Sequence, residues 1–250
     1  MDITSVLIVL AAGFAGGFTN AVSAAGSLFT LPAFMFAGLT PAEANATNRI
    51  AILAQNFSST LTFRQNGIAH DPYVFWLSAA TVPGAMLGAW FSLQISDELF
   101  TKILSVVMVM FLIITITNPL KYKQQHHERT DLKYKLLGAV VYFFIGVYGG
   151  FIQAGTGFFL MAGCMLIHRF DILKTNYFKS VIMLIYTLAA LAVFLWKGHV
   201  LWLHGLLMAA AMGAGAYVGV KWSIRAEEVW IKRVIVLLII AMAAYLWFGK

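Results

Sequence analysis

Apolar runs alternate with short polar breaks along nearly the whole chain, and the runs come in two lengths. Eight of them, at 3–20, 42–64, 73–94, 99–118, 136–153, 172–196, 200–222 and 229–248, hold about 18–25 residues each. At 1.5 Å per residue a helix needs ~20 residues to cross a ~30 Å hydrocarbon core, so each predicts a membrane segment. Two more, at 27–38 and 157–168, are too short to cross. The first short run belongs to the stretch from Gly13 to Arg49, GFAGGFTNAVSAAGSLFTLPAFMFAGLTPAEANATNR. An apolar helix there runs into a break of Gly, Ala and Ser, a second short helix follows, and Pro41 opens a turn before Asn45, Asn48 and Arg49. Lipid cannot satisfy the backbone polar groups that such a break exposes. Irregular backbone at membrane depth persists where it is enclosed by protein or lines a polar cavity, and broken helices point to a transporter's binding site.

The only charge-rich run long enough to divide the chain is KYKQQHHERTDLKYK at 121–135. It separates an N-terminal unit, 1–120, from a C-terminal unit, 136–250. The two are related. Gly13, Gly16, Gly17 and Phe18 fall on Gly146, Gly149, Gly150 and Phe151 at an offset of 133, which sets Asn20 opposite Gln153. From Gly26 onward an offset of 131 pairs Gly26 with Gly157, Asn45 with Asn176, Gly67 with Gly198, Gly84 with Gly215 and Gly88 with Gly219. Apolar composition alone does not align glycines in this way, so the chain reads as a duplicated unit.

Charge sets the relative orientation of the copies. If 3–38 enters and leaves on one side, each half crosses the membrane an odd number of times and the copies are inverted. Arg64, Lys121, Lys123, Arg129, Lys133, Lys135, Arg169, Lys174, Lys221, Arg225, Lys232 and Arg233 then share one side, against Lys102, Lys197 and Lys250 on the other. The positive-inside rule favours this arrangement, with the linker cytoplasmic and both termini extracytoplasmic. The expectation is an all-α integral protein of the cytoplasmic (inner) membrane, with two inverted repeats and about eight transmembrane segments. Broken or re-entrant helices open each repeat.

Composition agrees. Hydrophobic residues make up 61% of the 250 and charged ones 11%, with a mean hydropathy of +0.83, which no water-soluble domain needs. The net charge of +7 lies in loops between apolar runs, which points to anionic lipid headgroups and not to nucleic acid. A single cysteine, Cys164, excludes an internal disulfide and a cysteine-based zinc site. The start, MDITSVLIVL, lacks the positive region of a signal peptide, so the first segment is expected to be retained.

Candidate chemistry sits on the helix after each break. At 100° per residue, Asn45, Asn48, Arg49, Ile52 and Asn56 form one stripe, with Gln55 at its edge. The matching stripe carries Asn176, Lys179, Ser180, Met183 and Thr187, with Tyr186 at the edge. A central Arg or Lys costs ~2.5–3.5 kcal/mol on insertion scales, so it faces a polar cavity or a partner. One reading is an anion site. Arg49 and Lys179 supply charge, Asn20, Asn45, Asn48, Gln153, Asn176 and Ser180 supply directional polar groups, and the half-helix starts at Ser27 and Thr156 add free N–H groups. The other has the cations snorkelling to the interface and the amides bonding neighbouring helices. Glu43, the only acid near the broken region, is a candidate carrier of a coupling proton or a first-turn acid favoured by the helix dipole. The six histidines lack metal-ligand spacing, and no GxxxxGK[ST] loop is present. Neither a metal, a cofactor nor an enzymatic activity is expected.

The GFAGGFTNAVSAAGSL…LP…AEANATNR run, with the second GVYGGFIQAGTGFFL block after a polar linker, resembles the TauE/SafE sulfite-exporter family. The resemblance covers essentially the whole chain. It implies a multi-pass protein moving sulfite, sulfonates or related small anions, and sets the family's Thr-Asn-Lys-like triplet on Thr47, Asn48 and Arg49. Two departures stand out: Ala24 and Ala25 where glycines are usual, and Arg49 where Lys is usual. The resulting expectation is a secondary transporter, an exporter of sulfite or an organosulfonate working by alternating access at a midplane site, with H+ or Na+ as coupling ion. A non-sulfur anion carrier, or a non-transporting accessory subunit of a sulfur-metabolising system, are the alternatives.

Overall fold

The computed structural model describes residues 2–23, 26–68, 71–117 and 127–224, and among them every regular element is helical. In order these are α1 (Ile3–Ser23), α2 (Ser27–Phe36), α3 (Pro41–Gln65), α4 (Tyr73–Ser92), α5 (Asp97–Thr117), α6 (Leu132–Phe151) and α7 (Thr156–Ala162). α7 runs on as a π-helical turn, Gly163–Ile167, and α8 (Ile172–Trp196) and α9 (Trp202–Ser223) follow. The apolar runs therefore mark the helices to within a few residues. The last run, 229–248, and much of the linker lie outside the described residues. Five described helices, α1, α4, α6, α8 and α9, are long and apolar enough to cross a membrane. α3 is as long as α8 but rich in Asn, Gln, Ser and Thr, and it is tolerated because its polar residues are buried among other helices.

α3 and α8 are bounded by matching signals. Thr40 Oγ1 accepts from the Glu43 N–H while Glu43 Oε2 accepts from the Thr40 N–H, a capping box that starts α3 at Pro41. At α8, Asp171 Oδ1 accepts from the Lys174 N–H at 2.8 Å. Gly67 and Gly198, at φ +83° and +74°, end them in the left-handed conformation that glycine adopts without strain.

The exterior is apolar, and polar side chains are buried within an otherwise apolar interior. Trp76, Trp90, Phe91, Phe144, Trp196 and Trp202 are exposed, several of them near helix ends where an aromatic belt meets the headgroups. Asn20, Asn45, Arg49, Gln55, Asn56, Lys179 and Thr187 are buried. Large apolar side chains outside and polar ones within suit a chain surrounded by lipid.

Glycines set the packing. A Cβ at Gly146 or Gly150 would collide with the carbonyl oxygens of Thr81 and Ala85, so α6 lies backbone-close along α4 and parallel to it. Gly17 stands in the same relation to the Met212 carbonyl and Gly13 lies against the Met208 and Ala211 side chains, bringing α1 parallel along α9. In the return direction Gly88 faces the Val147 carbonyl as Gly215 faces that of Phe14. The contacts thus equate Gly88 with Gly215, one helical turn away from the sequence pairing of Gly84 with Gly215 and Gly88 with Gly219. Small residues spaced four apart leave that register open in the sequence, and packing decides it.

α3 and α8 lie against each other and run antiparallel. The start of α3 (Thr40, Ala42, Glu43) shares a recess with His199, just past the end of α8. At the opposite end Gly67 and Ile68, past the end of α3, share a recess with Asp171, Leu173 and Lys174 at the start of α8.

Candidate functional site

The two breaks come to the α3–α8 pair, and each is met by a cation from the other half of the chain. α6 ends at Phe151, and its last carbonyls have no partner within the helix. Arg49, on α3, supplies one. Its Nη1 donates to the Gly149 carbonyl at 2.7 Å and its Nη2 to the Gly150 carbonyl at 2.6 Å. Nη2 also lies 3.3 Å from Asn45 Oδ1. The amide of Asn45 in turn donates to the Phe151 carbonyl at 2.9 Å and to Ser92 Oγ at 3.0 Å. The guanidinium stands 5.1 Å from the centre of the Phe194 ring.

Lys179, on α8, does the reciprocal job. Its Nζ donates to the Asn20 carbonyl near the end of α1 at 2.7 Å, and to Asn176 Oδ1 at 2.9 Å. Both cations are fully buried, so the snorkelling alternative is overturned. Each instead meets the negative end of an interrupted helix, where a cation is favoured.

The side chains at the breaks bond back to their own half. Asn20 Nδ2 donates to Gln55 Oε1 at 2.5 Å, and Gln55 Nε2 donates to Ser59 Oγ at 3.1 Å. Gln153 Nε2 donates to Thr187 Oγ1 at 3.2 Å. Gln153 itself sits at φ +60°, in the left-handed region that non-glycine residues seldom occupy, and Gly155 follows at +72°. The N–H and hydroxyl of Thr156 both donate to the Gln153 carbonyl, at 3.1 and 2.9 Å, so the N–H expected to be free there is spoken for. The Thr156 side chain and the Tyr186 hydroxyl both face Gly149. Ser180 Oγ donates to the Asn176 carbonyl one turn back. α2 begins at Ser27, whose side chain lies outside the described residues.

Some buried polar atoms in this region have no hydrogen-bond partner. Neither amide atom of Asn48 has a hydrogen-bond partner, nor does Arg49 Nε, nor Asn56 Oδ1. An orphaned buried polar atom costs ~1–3 kcal/mol, and such atoms call for water or a ligand. The charge is equally uneven. Among the described residues no Asp or Glu is buried, while Arg49 and Lys179 are. Arg49 lies eight residues past Pro41 and Lys179 seven past Ile172, at opposite ends of the antiparallel pair. At 1.5 Å per residue they stand roughly 13 Å apart along the helix axes, with Ile52, Asn56, Met183 and Thr187 between.

Glu43 is held in the α3 capping box, away from the cation networks. The recess it lines also includes Ser92, the acceptor of Asn45, so a hydrogen-bonded path leads from that mouth to Arg49.

The cations and amides picked out by periodicity are buried, but so is every residue of 44–52 and 175–183, and periodicity missed their partners. The carbonyls of Gly149, Gly150, Phe151 and Asn20 carry no side-chain signature, and Ser92 and Phe194 come from distant segments. One signal was available: a helix interrupted inside a membrane leaves C-terminal carbonyls that need donors, and only Arg and Lys in the buried stripes could supply charge with them.

An apolar helical exterior, interrupted helices and a buried cationic interior define a multi-pass membrane transporter. The family model for the sulfite exporter TauE/SafE matches residues 9–246, and the chain belongs to that family. It is 27% identical to a probable membrane transporter protein of Haemophilus influenzae, over 98% of this chain and 95% of that one. A probable membrane transporter protein of Sinorhizobium, ORF9, is 28% identical, with 93% and 88% covered. The probable membrane transporter protein YfcA of Escherichia coli K12 is 24% identical, with 92% and 85% covered. No solved structure matches the chain.

Proposed function

We propose that this protein is a secondary transporter of a small anion, working by alternating access between two inverted repeats. One observation carries the reading: two fully buried cations lie in a protein core where no described carboxylate is buried beside them. A buried charge without a counter-ion is costly, and carbonyl dipoles offset only part of that. A mobile anion supplies the rest, and the unbonded Asn48 amide and Arg49 Nε provide directional contacts for its oxygens. Asn20, Asn45, Gln153, Thr156, Asn176 and Ser180 shape and hold the two half-sites around it.

The antiparallel pairing of α3 with α8 supports inversion, as does the way each cation meets the last turn of the helix broken in the opposite half. Such repeats rock about a fixed midplane site. On this reading about eight segments cross the cytoplasmic membrane, the 121–135 linker faces the cytoplasm and both termini lie outside. Sulfite or an organosulfonate is the substrate the family description favours, moved outward.

Thermal unfolding of purified protein with sulfite, sulfate, thiosulfate, taurine and acetate tests the site. A ligand that binds only the folded state stabilises it by RT ln(1 + [L]/Kd), ~2.7 kcal/mol at a hundred times Kd. Stabilisation by one sulfur oxyanion, lost in Asn48→Leu, is the expected result. Equal melting with and without every anion in the wild type would refute the anion site.

A further inference from the structure

The two recesses at the ends of the α3–α8 pair are equivalent positions that differ in chemistry. At the offset of 131, Thr40 corresponds to Asp171, Glu43 to Lys174 and His199 to Ile68, and these residues line the two mouths. At the Glu43 mouth the acid is engaged in its own capping box. There the Ala42 N–H donates to Asp97 Oδ1 at 3.3 Å within the first half and the Leu201 N–H donates to Thr47 Oγ1 at 3.0 Å between the halves, and among the described residues no ion pair crosses.

The other mouth is tied shut. Lys174 Nζ stands 2.7 Å from Asp71 Oδ2, at the start of α4 in the first half. It also donates to both carboxylate oxygens of Glu128, at 2.9 and 2.7 Å, in the segment joining the halves. The Lys174 side chain is only 18% exposed, and its ammonium lies over the rings of Phe170 and Phe178, 4.4 and 5.5 Å from their centres. Beside Glu128, the Arg129 N–H donates to the His168 carbonyl at 2.9 Å, and the Arg129 carbonyl accepts from His168 Nδ1 at 3.1 Å. First half, linker and second half thus converge on one cation.

We infer that Lys174, with Asp71 and Glu128, is an ionic latch that holds the linker-side mouth closed and must part when that mouth opens. The inference rests on the alternating-access reading above. In that cycle the latch biases the protein toward the state open at the Glu43 mouth. Partial burial gives the ion pairs more weight than exposed ones have, and the aromatic rings favour the cation in place.

The chain's one thiol reports on this mouth. The Cys164 carbonyl accepts from the Phe170 N–H at 3.1 Å, and Cys164 Sγ is buried, 3.0 Å from the Tyr142 hydroxyl. The Tyr142 ring lies against His168, which stacks on the Phe170 ring that Lys174 overlies. Alkylation of Cys164 by N-ethylmaleimide is measured in the full-length protein in proteoliposomes. Lys174→Gln and Asp71→Asn are expected to speed labelling about tenfold. Lys174→Arg keeps it slow. Wild-type rates in both Lys174→Gln and Asp71→Asn, with normal insertion, would overturn the latch. The same variants are melted with and without sulfite. A wild type that sulfite does not stabilise counts against the anion site alone, and faster labelling in Lys174→Gln still supports the latch.

Discussion

Arg49 and Lys179 meet the same demand with different groups. Each neutralises the carbonyl end of a helix broken in the opposite half, and each leans on an asparagine one turn back, Asn45 or Asn176. Arg49 spreads its charge over a planar fork that spans two consecutive carbonyls and stacks against Phe194. Lys179 presents a point charge to one carbonyl. A fork of five fixed donors is preorganised, whereas an ammonium on a four-carbon stem rotates and exchanges partners readily. The two also differ in register: at an offset of 131, Arg49 corresponds to Ser180 and Lys179 to Asn48. Despite that one-residue displacement, both side chains are long enough to reach the last turn of the opposite half's broken helix, at positions that do not align, since Asn20 falls on Gln153 and not on Gly149 or Gly150. From that difference we expect a more rigid Arg49 half and a more adjustable Lys179 half.

The largest expected effect comes from Arg49→Met. It strands the Gly149 and Gly150 carbonyls and Asn45 Oδ1 in a buried site, and removing one partner from such a network costs ~3–5 kcal/mol. Lower melting in mild detergent and loss of sulfite flux in proteoliposomes should both appear. Lys179→Met strands fewer acceptors and should cost about 2–3 kcal/mol, taking hydrogen bonds to a charged group at ~1.5–3 kcal/mol. Equal destabilisation by the two, measured side by side, would erase the rigid-versus-adjustable distinction.

Asn48→Leu goes the other way. Replacing an amide with two unmade bonds by an apolar group of similar size should leave the unliganded protein unchanged or about 1 kcal/mol more stable, since no bond is lost and an orphaned group is removed. Anion-dependent stabilisation should vanish in the same variant. Destabilisation would mean that Asn48 is structural. Glu43→Gln is the mildest. It retains a capping side chain at the third position of α3 and weakens the dipole interaction by about 0.3–1 kcal/mol. Flux with an unchanged pH profile would remove Glu43 from proton coupling.

The amino-acid sequence by itself determined the helices, the two breaks and the polar stripes. Those are local properties: an apolar run of a given length, glycines and small residues that interrupt it, Thr40 and Asp171 as caps, and a 3.6-residue period that puts Asn45, Asn48 and Arg49 on one side. Only tertiary structure decided what the stripes face. Arg49 bonds carbonyls a hundred residues away, and Lys179 reaches one across 159 residues of sequence. Carbonyl oxygens are common to every residue, so nothing in the chain marks Gly149, Gly150 or Asn20 as acceptors until α6 and α1 end beside α3 and α8. The pairing of Gly88 with Gly215 and the convergence of Asp71 and Glu128 on Lys174 were hidden for the same reason. Packing across the two halves, not any local pattern, brings those groups together.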